Sequence, residues 1–302
     1  METREIDAIL KLLEDPDDVV FRHIEKKLLS EGEIIIPHLE KAWENSLDEL
    51  LHQRAENIIH KIQFDGTFND FKSWVDEKSD DLLRGTYLIS KIQYPALDLQ
   101  KLYQKIDKIK KSISVELRDN FTPLEQVRVL NQVIFQLYKF VGNNSDFYAP
   151  QNSYINDVLE SKKGNPISLA IVYLVLARRL GLPVYGVNLP KNFIVAYLTS
   201  TANVSDLSNI DEEKDILFYI NPFNRGAVLG KKEIDYFLKQ QKITPEKSFY
   251  IPCDNNTIIN RLIINLIYSY EKLGYPDKIA DFEKLLSLFK NRLGEINDDF
   301  YD

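Results

Sequence analysis

The sequence predicts a predominantly helical α+β fold, in which one apolar helix leads into a short series of strands. Apolar residues occupy nearly every side of the helix that we expect over about 166–180. A helix without a clean polar stripe belongs inside a domain, where other elements surround it. Strand-like runs follow at 184–188, 193–198 and 216–221, whereas most of the remaining chain has the spacing of amphipathic helices.

The composition limits the class of protein. The chain has 302 residues, of which 44% are hydrophobic and 28% are charged, and its formal net charge is −8. These values are typical of a globular protein with ample core. The negative charge argues against nucleic acid as a partner, because phosphate binding needs a concentrated basic face. Apolar runs fall short of bilayer length and the amino-terminal segment lacks a signal-peptide pattern, so we expect no membrane partner and a cytoplasmic protein.

The amino-terminal region, residues 1–95, is predicted to be helical and repeat-like. Residues 33–62 resemble a HEAT-type repeat, with Pro37 in the first helix and with Asp48 and Arg54 six positions apart in the second. Further separate helices are expected at 68–77 and 82–91. Short amphipathic helices that are joined by brief turns are typical of stacked helical hairpins.

Residues 96–250 contain the predicted core. Helices at 97–116 and 124–140 precede the apolar helix. The start of the apolar helix is marked by Asn165, which suits the capping position, and by Pro166, which suits the first helical position.

The carboxy-terminal part of the chain returns to helical patterns. The polar segment 200–214 is expected to be a mobile loop between two strands. Residues 251–302 are predicted to form a third region, with a helical hairpin at 258–273 and 275–290. An acidic tail at 295–302 is expected to follow the hairpin.

Several sequence features follow one another in a recognisable order from about residue 96 to the end. They are the box NSYINDVL at 152–159, the helix entry GNPISL at 164–169, the run ARRLGLPVYGVNLP at 177–190 and the turn NPFN at 221–224. Together with a hairpin similar to a tetratricopeptide unit, this order resembles the SirB-type branch of the transglutaminase-like superfamily. The resemblance implies a papain-like α+β core, in which the buried helix packs on a small antiparallel sheet between helical repeat-like regions.

The same resemblance implies three positions for catalysis. Active members of the superfamily have a cysteine at the start of the buried helix, a histidine on the next strand and an aspartate or asparagine on the strand after it. The corresponding residues here are Ser168, Asn192 and Asn221. A serine hydroxyl needs a base, and an asparagine amide does not accept its proton near neutral pH. The resemblance therefore predicts an inactive triad.

Alternatives remain open for each of these residues. Ser168 is interpreted as a local hydrogen-bonding partner in the first helical turn or as the remnant of a nucleophile. Asn192 either satisfies loop backbone groups or stands in for the histidine. A cleft beside them is expected to be lined by aromatic and polar side chains, unless these only pack the core. The candidates for lining it are Asn152, Tyr154, Asn156, Asn165 and Phe193.

No metal site and no cofactor are predicted. The four histidines, His23, His38, His52 and His60, are separated by 15, 14 and 8 residues, so no two of them share a helical face at i, i+4. The single cysteine, Cys253, excludes an internal disulfide and suits a reducing compartment. Cys253 precedes a predicted helix start, which can activate a thiol, but a lone cysteine is more often an inert buried residue.

Two functions are consistent with these observations. The first is a non-catalytic binding or scaffolding protein that recognises a protein or peptide partner, because helical repeats offer extended surfaces. The second is a hydrolase or acyltransferase that uses Ser168 with a base from elsewhere in the chain. The sequence favours the first function and leaves the oligomeric state open.

Overall fold

The computed structural model describes residues 3–77 and 80–289 and divides into two compact units, Met1–Asp70 and Phe71–Asp302. The acidic tail that we expect at 295–302 lies outside the described residues, as does the last residue of the predicted hairpin. The division of the chain into regions 1–95, 96–250 and 251–302 stays a prediction.

The first unit is helical. Its elements are α1 (Thr3–Lys11), α2 (Asp18–Glu31), α3 (Ile36–Asn45) and the first part of α4 (Glu49–Asp76). Leu13, Leu28 and Ile58 are buried in its apolar core. The Arg54 guanidinium is also buried, and its Nη1 donates to the carbonyl oxygens of Leu13 and Asp15 at 3.0 and 2.5 Å. Arg54 therefore ties α4 to the turn that follows α1.

One prediction for this part of the chain is wrong. A separate helix was expected at 68–77, but these positions belong to α4, which continues without a break from Glu49 to Asp76. The segment contains no proline, and Gly66 is an interior residue of the helix. A single glycine costs a helix only about 1 kcal/mol relative to alanine, so it does not end a helix that packing supports.

The second unit contains the remaining helices and all described strands. The helices are α5 (Leu82–Gln93), α6 (Leu99–Glu116), α7 (Pro123–Asn131), α8 (Ile155–Ser161), α9 (Pro166–Arg179), α10 (Glu212–Asp215), α11 (Lys231–Gln240), α12 (Asn255–Leu273) and α13 (Pro276–Ser287). The strands are β1 (Val141–Gly142), β2 (Lys163–Gly164), β3 (Val184–Val187), β4 (Ile194–Leu198), β5 (Ile216–Asn221) and β6 (Ala227–Leu229). A π-helical segment, Gln132–Leu137, continues α7.

The main sheet has the order β3-β4-β5-β6, and every neighbouring pair is antiparallel. Helix α9 packs against β3 and β4, and each of its residues from Ile167 to Ala177 is buried. The predicted helix-rich α+β fold, with a buried helix on a small antiparallel sheet, is therefore confirmed. Strand β6 and the short parallel pair β1–β2 were not predicted, because two or three residues carry too weak a periodic signal.

The segment 200–214 differs from the expected mobile loop. It contains a 3-10 turn at Leu207–Asn209 and helix α10, whose starts are capped by the side chains of Asp206 and Asp211. Ile210 lies between these two turns and is buried in an apolar cluster with Val187. One apolar residue in a polar stretch thus anchors the connection to the core.

Among the described helices, none combines the length and the apolar character that crossing a bilayer requires.

Candidate functional site

A cavity of about 150 Å³ lies at the amino-terminal end of helix α9, within the second unit. Its walls come from the loop before α8, the start of α9, the turn before β4 and helix α12. The residues that line it are Phe147, Tyr148, Asn165, Pro166, Ile167, Lys191, Asn192, Phe193, Arg261, Asn265, Tyr268 and Ser269. Three of the predicted site residues, Asn165, Asn192 and Phe193, therefore share one cavity.

The start of α9 is closed by a reciprocal capping box. Asn165 Oδ1 accepts from the backbone amide of Ser168 at 2.9 Å, and Ser168 Oγ accepts from the backbone amide of Asn165 at 3.0 Å. Asn165 Nδ2 also donates to Ser153 Oγ at 2.8 Å. The first turn of a helix leaves backbone donors without partners, and these side chains satisfy them.

Ser168 is enclosed by this arrangement. Its exposed fraction is 1%, and its hydroxyl also donates to the carbonyl oxygen of Asn165 at 3.2 Å. A Cβ atom at Gly164 would lie 2.5 Å from Ser168 Oγ, so the backbone of the preceding strand covers the hydroxyl. Ser168 does not line the cavity, and its Oγ is bonded to the backbone of Asn165.

The residues at the start of α9 that do line the cavity are Asn165, Pro166 and Ile167. An amide, a pyrrolidine ring and an aliphatic side chain are not nucleophiles. The wall of the cavity that begins the helix thus supplies no group that could form an acyl intermediate.

The two other family positions lie at one end of the main sheet. Val195 of β4 pairs with Ile220 of β5. Asn192 precedes β4 and Asn221 ends β5, so both lie at the same end of the sheet. Asn192 Oδ1 accepts from the amide of Phe193 at 2.8 Å. Asn221 Oδ1 accepts from the amide of Asn224 at 3.2 Å, and this residue does not line the cavity.

The predicted cleft residues Asn152, Tyr154 and Asn156 do not line the cavity. Asn152 Nδ2 donates to the carbonyl oxygens of Asp146 and Phe147 at 2.6 and 3.0 Å, so this side chain holds the loop that carries the aromatic rim. These three residues were expected to line the cleft, but they are absent from the lining of this cavity.

The side chains of Tyr154 and Asn156 take part in polar contacts behind the cavity. The hydroxyl groups of Tyr154 and Tyr270 are 2.7 Å apart, and Asn156 Nδ2 donates to Asp157 Oδ1 at 2.8 Å. Tyr94 donates its hydroxyl proton to Asp157 Oδ2 at 2.7 Å. Burial is the largest influence on the Asp157 carboxyl and raises its pKa, although the bond from Tyr94 opposes this shift.

Aromatic rings form the rim of the cavity. Phe147 and Tyr148 are 42% and 48% exposed, and their ring centroids are 5.3 Å apart in an edge-to-face arrangement. Tyr148 also meets Tyr268 of α12 edge to face at 5.4 Å. The rim therefore presents exposed aromatic surface beside the polar side chains of the cavity wall.

The charge of the cavity wall is positive. Arg261 is 6% exposed, and its Nη1 donates to Asn188 Oδ1 at 3.3 Å, while Lys191 is exposed at the mouth. The described residues that line the cavity include no Asp, Glu, His or Cys. The wall thus supplies no carboxylate, imidazole or thiol as a general base.

Sequence reasoning missed the contribution of α12. Arg261, Asn265 and Tyr268 are spaced at i, i+4 and i+7, which places them on one face of this helix. The spacing is visible in the sequence, but nothing local indicates that the face meets the start of α9.

The structure provides no metal centre or reactive thiol in the described chain. Within residues 3–77 and 80–289, no three His, Cys, Asp or Glu side chains are grouped so that they could hold a metal ion. Burial of the Cys253 thiol raises its pKa to about 12, even though the residue as a whole is partly exposed. A thiol with such a pKa is a poor nucleophile near neutral pH.

The chain is similar in sequence to several known proteins. The chain is 28% identical over 237 residues to a UPF0162 protein of Xylella fastidiosa (strain 9a5c), which covers 74% of this chain and 77% of that protein. It is 27% identical over 259 residues to F-box only protein 21 of Homo sapiens, which covers 78% of this chain but only 40% of that protein. A UPF0162 protein of Vibrio cholerae is 25% identical over 193 residues, or 62% of this chain and 66% of that protein. No solved structure matches the chain.

The match to the family itself spans the core that the structure shows. Residues 100–264, more than half of the chain, match the profile of the transglutaminase-like superfamily. This range begins in α6, includes α9 and the main sheet, and ends in α12 beyond Arg261. The chain belongs to the transglutaminase-like superfamily.

Proposed function

We propose that this protein is a non-catalytic, SirB-type member of the superfamily that binds a segment of a protein or peptide partner in the cavity at the start of α9. The observation that carries the proposal is the enclosure of Ser168. Its hydroxyl is 1% exposed and is bonded to backbone atoms of Asn165. A nucleophile must reach both a substrate and a base, and this hydroxyl faces neither.

The remaining positions support the same proposal. Asn192 and Asn221 use their side-chain oxygens to accept from nearby backbone amides, which is a structural role. The cavity wall is nevertheless open to solvent, carries exposed aromatic rings and lacks acidic groups. A site that loses its nucleophile and keeps an accessible aromatic cavity is suited to recognition rather than to turnover.

The three-part organisation belongs to this proposal. Helical repeat-like regions at 1–95 and 251–302 would add surfaces for a protein partner to the core at 96–250. A reducing, cytoplasmic setting is consistent with a single cysteine whose thiol is not activated.

The catalytic part is tested by assaying the purified protein for amine incorporation into a glutamine-containing protein and for hydrolysis of an activated ester. We expect both rates to equal those of Ser168→Ala and of the buffer blank. Circular dichroism should verify that Ser168→Ala is folded. Turnover that disappears in a folded Ser168→Ala variant would establish the competing function, a hydrolase or acyltransferase, and overturn the proposal.

The binding part is tested by site-specific photo-crosslinking in cells that express the protein. The crosslinking side chain replaces Tyr148 at the cavity rim, and the matched control replaces Tyr236, an exposed tyrosine on α11. We expect a discrete protein adduct from position 148 that is absent at position 236. Equal labelling from both positions would contradict a partner site at the cavity.

A further inference from the structure

We infer that a groove on the first unit binds an amphipathic helix of a partner protein, with the apolar face of that helix in the groove and its acidic residues at the edges. The groove lies between α1, α3 and the start of α4, and its volume is about 920 Å³. The inference goes beyond the proposed site at the start of α9, which belongs to the second unit. The family profile begins only at residue 100, so the family assigns no role to this groove.

The apolar part of the groove joins the core of the first unit to its surface. Its apolar residues are Leu10, Pro37, Ala42, Leu47 and Leu51. Leu10 and Leu51 are buried members of the core, whereas Leu47 is 98% exposed. Single exposed apolar side chains are common on proteins, but one that adjoins an apolar groove marks a surface suited to a partner.

The exposed leucine lies on a turn that hydrogen bonds hold in place. The amide of Asp48 donates to Ser46 Oγ at 3.1 Å, and Asp48 Oδ1 accepts from the amide of Leu51 at 2.8 Å. His52 Nε2 lies 2.8 Å from the carbonyl oxygen of Ser46. The backbone that carries Leu47 is therefore already ordered, so a ligand that covers this side chain gains apolar burial at little cost in backbone entropy.

The groove is suited to a helix rather than to another form of peptide. All described strands belong to the second unit, so the described part of the first unit has no sheet edge to which an extended peptide could add. The described lining has no Phe, Tyr or Trp for a proline-rich segment and no Arg for a phosphorylated one. A helix bonds its own backbone groups, so an apolar groove is enough to hold it.

The length of the groove agrees with a helix of about two turns. One wall follows a face of α3, from which Pro37, Lys41 and Asn45 contribute at i, i+4 and i+8. At a rise of about 1.5 Å per residue, this wall is about 12 Å long. A partner helix of about eight residues spans it and places apolar side chains at i, i+4 and i+7 in the groove.

Lysines border the groove although the chain as a whole is acidic, with a formal net charge of −8. Lys11 of α1 and Lys41 of α3 are exposed, and neither forms a salt bridge with another described residue. Glu14 is the one acidic residue of the described lining, and its Oε1 accepts from Ser46 Oγ at 3.2 Å. Two lysines from different helices therefore favour a partner with negative charge beside its apolar face.

The test selects peptides without assuming their sequence. A library of random tetradecapeptides displayed on phage is depleted on a Leu47→Asp variant and then selected on the immobilised full chain. We expect the enriched sequences to repeat Leu, Ile or Phe at i, i+4 and i+7 and to have Asp or Glu at the flanking positions. Circular dichroism should verify that Leu47→Asp is folded, as the exposure of this position predicts.

Fluorescence anisotropy then measures the binding of the enriched peptide to variants of the full chain. Leu47→Ser should weaken binding about tenfold, because the leucine loses its apolar burial, and Lys41→Gln about threefold. Ile34→Ser and Lys26→Gln are the matched controls, because both positions are exposed in the same unit but outside the groove. Both controls should leave binding unchanged, and binding to the wild type should weaken as the salt concentration is raised.

Each of the other outcomes overturns the inference. They are the absence of enrichment, enriched peptides that lack the apolar spacing or are basic, and equal losses of binding in Leu47→Ser and Ile34→Ser. A wild-type chain that sediments as a dimer, together with a Leu47→Ser chain that sediments as a monomer, would assign the groove to a second copy of this chain. The proposed function is tested separately, by the turnover assays and by the crosslinker at position 148.

Discussion

Polar side chains on the two sides of the start of α9 differ in their exposure to solvent. On the inner side, Ser168 and Ser153 are buried and both are bonded to Asn165, a buried residue that also reaches the cavity wall. On the cavity side, Lys191 and Tyr148 are exposed and Arg261 lines an open wall. The inner side contributes to stability, and we expect the outer side to contribute to binding. The family's nucleophile position lies on the inner side, where it has become part of the helix cap.

The largest effect should come from breaking the inner side. Asn165→Ala removes the cap from the Ser168 amide and the donor to Ser153 Oγ, which lies 2.8 Å away. Loss of a cap and of a buried hydrogen bond should together lower the free energy of unfolding by about 3 kcal/mol. Urea denaturation checks this value. A loss as small as that of Asn192→Ala, on the cavity side, would show that the two sides do not differ.

The two sides also differ in how far the sequence alone predicts them. Helix α9 was predictable because its apolar residues are contiguous and because Asn165 and Pro166 mark its start. The lining of the cavity was predictable only in part. Whether Asn152 and Tyr154 point into the cleft depends on the packing of α8 against residues such as Tyr270, and no local pattern encodes that contact.

The contribution of α12 shows the same limit more clearly. Arg261 lies 95 positions after Pro166, and both line the cavity although the sheet and α11 come between them in the chain. Periodicity predicts which residues share a helical face, but it does not predict which other element that face meets. The cap of α9 could be predicted from the sequence, whereas the side chains that α12 contributes to the cavity could be found only from the structure.

A smaller effect, an increase in the free energy of unfolding, is expected from a substitution deeper in α9. Tyr173 is buried, and its hydroxyl has no hydrogen-bond partner in the described part of the chain. Burial raises the pKa of this hydroxyl, which stays protonated. Tyr173→Phe removes an unsatisfied polar group and should increase the free energy of unfolding by about 1 kcal/mol. Thermal or urea denaturation measures it, and a clear decrease would mean that the hydroxyl has a partner in solution.

The polar contacts behind the cavity should give a smaller, pH-dependent effect. Burial raises the pKa of Asp157, so the folded state binds this proton more tightly than the unfolded state does. The resulting stability is present below the ordinary aspartate range, near pH 4, and is lost as the pH rises through the folded-state pKa. The stability of the wild type relative to Asp157→Asn should therefore fall as the pH is raised above about 4. Asp119→Asn, at an exposed position, serves as the control for the substitution itself.

The smallest expected change in stability comes from a substitution of Lys191, on the cavity side. It tests most directly whether the two sides of the start of α9 have different roles. Lys191 has a φ of 57°, a conformation that costs side chains other than glycine about 1–2 kcal/mol. Lys191→Gly relieves this strain, although the greater freedom of glycine in the unfolded chain offsets part of the gain, so we expect a net stabilisation of about 0.5 kcal/mol. Lys242→Gly, at a φ of 58°, should stabilise equally.

The two glycine variants should differ only in binding. Lys191→Gly is expected to weaken binding of the partner at the cavity, seen as less adduct from the crosslinker at position 148, whereas Lys242→Gly should not affect it. Urea denaturation measures the stability of each variant, and the yield of the crosslinked adduct measures binding. If Lys191→Gly increases stability but weakens binding, the exposed charge of Lys191 contributes to binding rather than to folding. If Lys191→Gly gave as much adduct as the wild type, Lys191 would have no part in binding the partner.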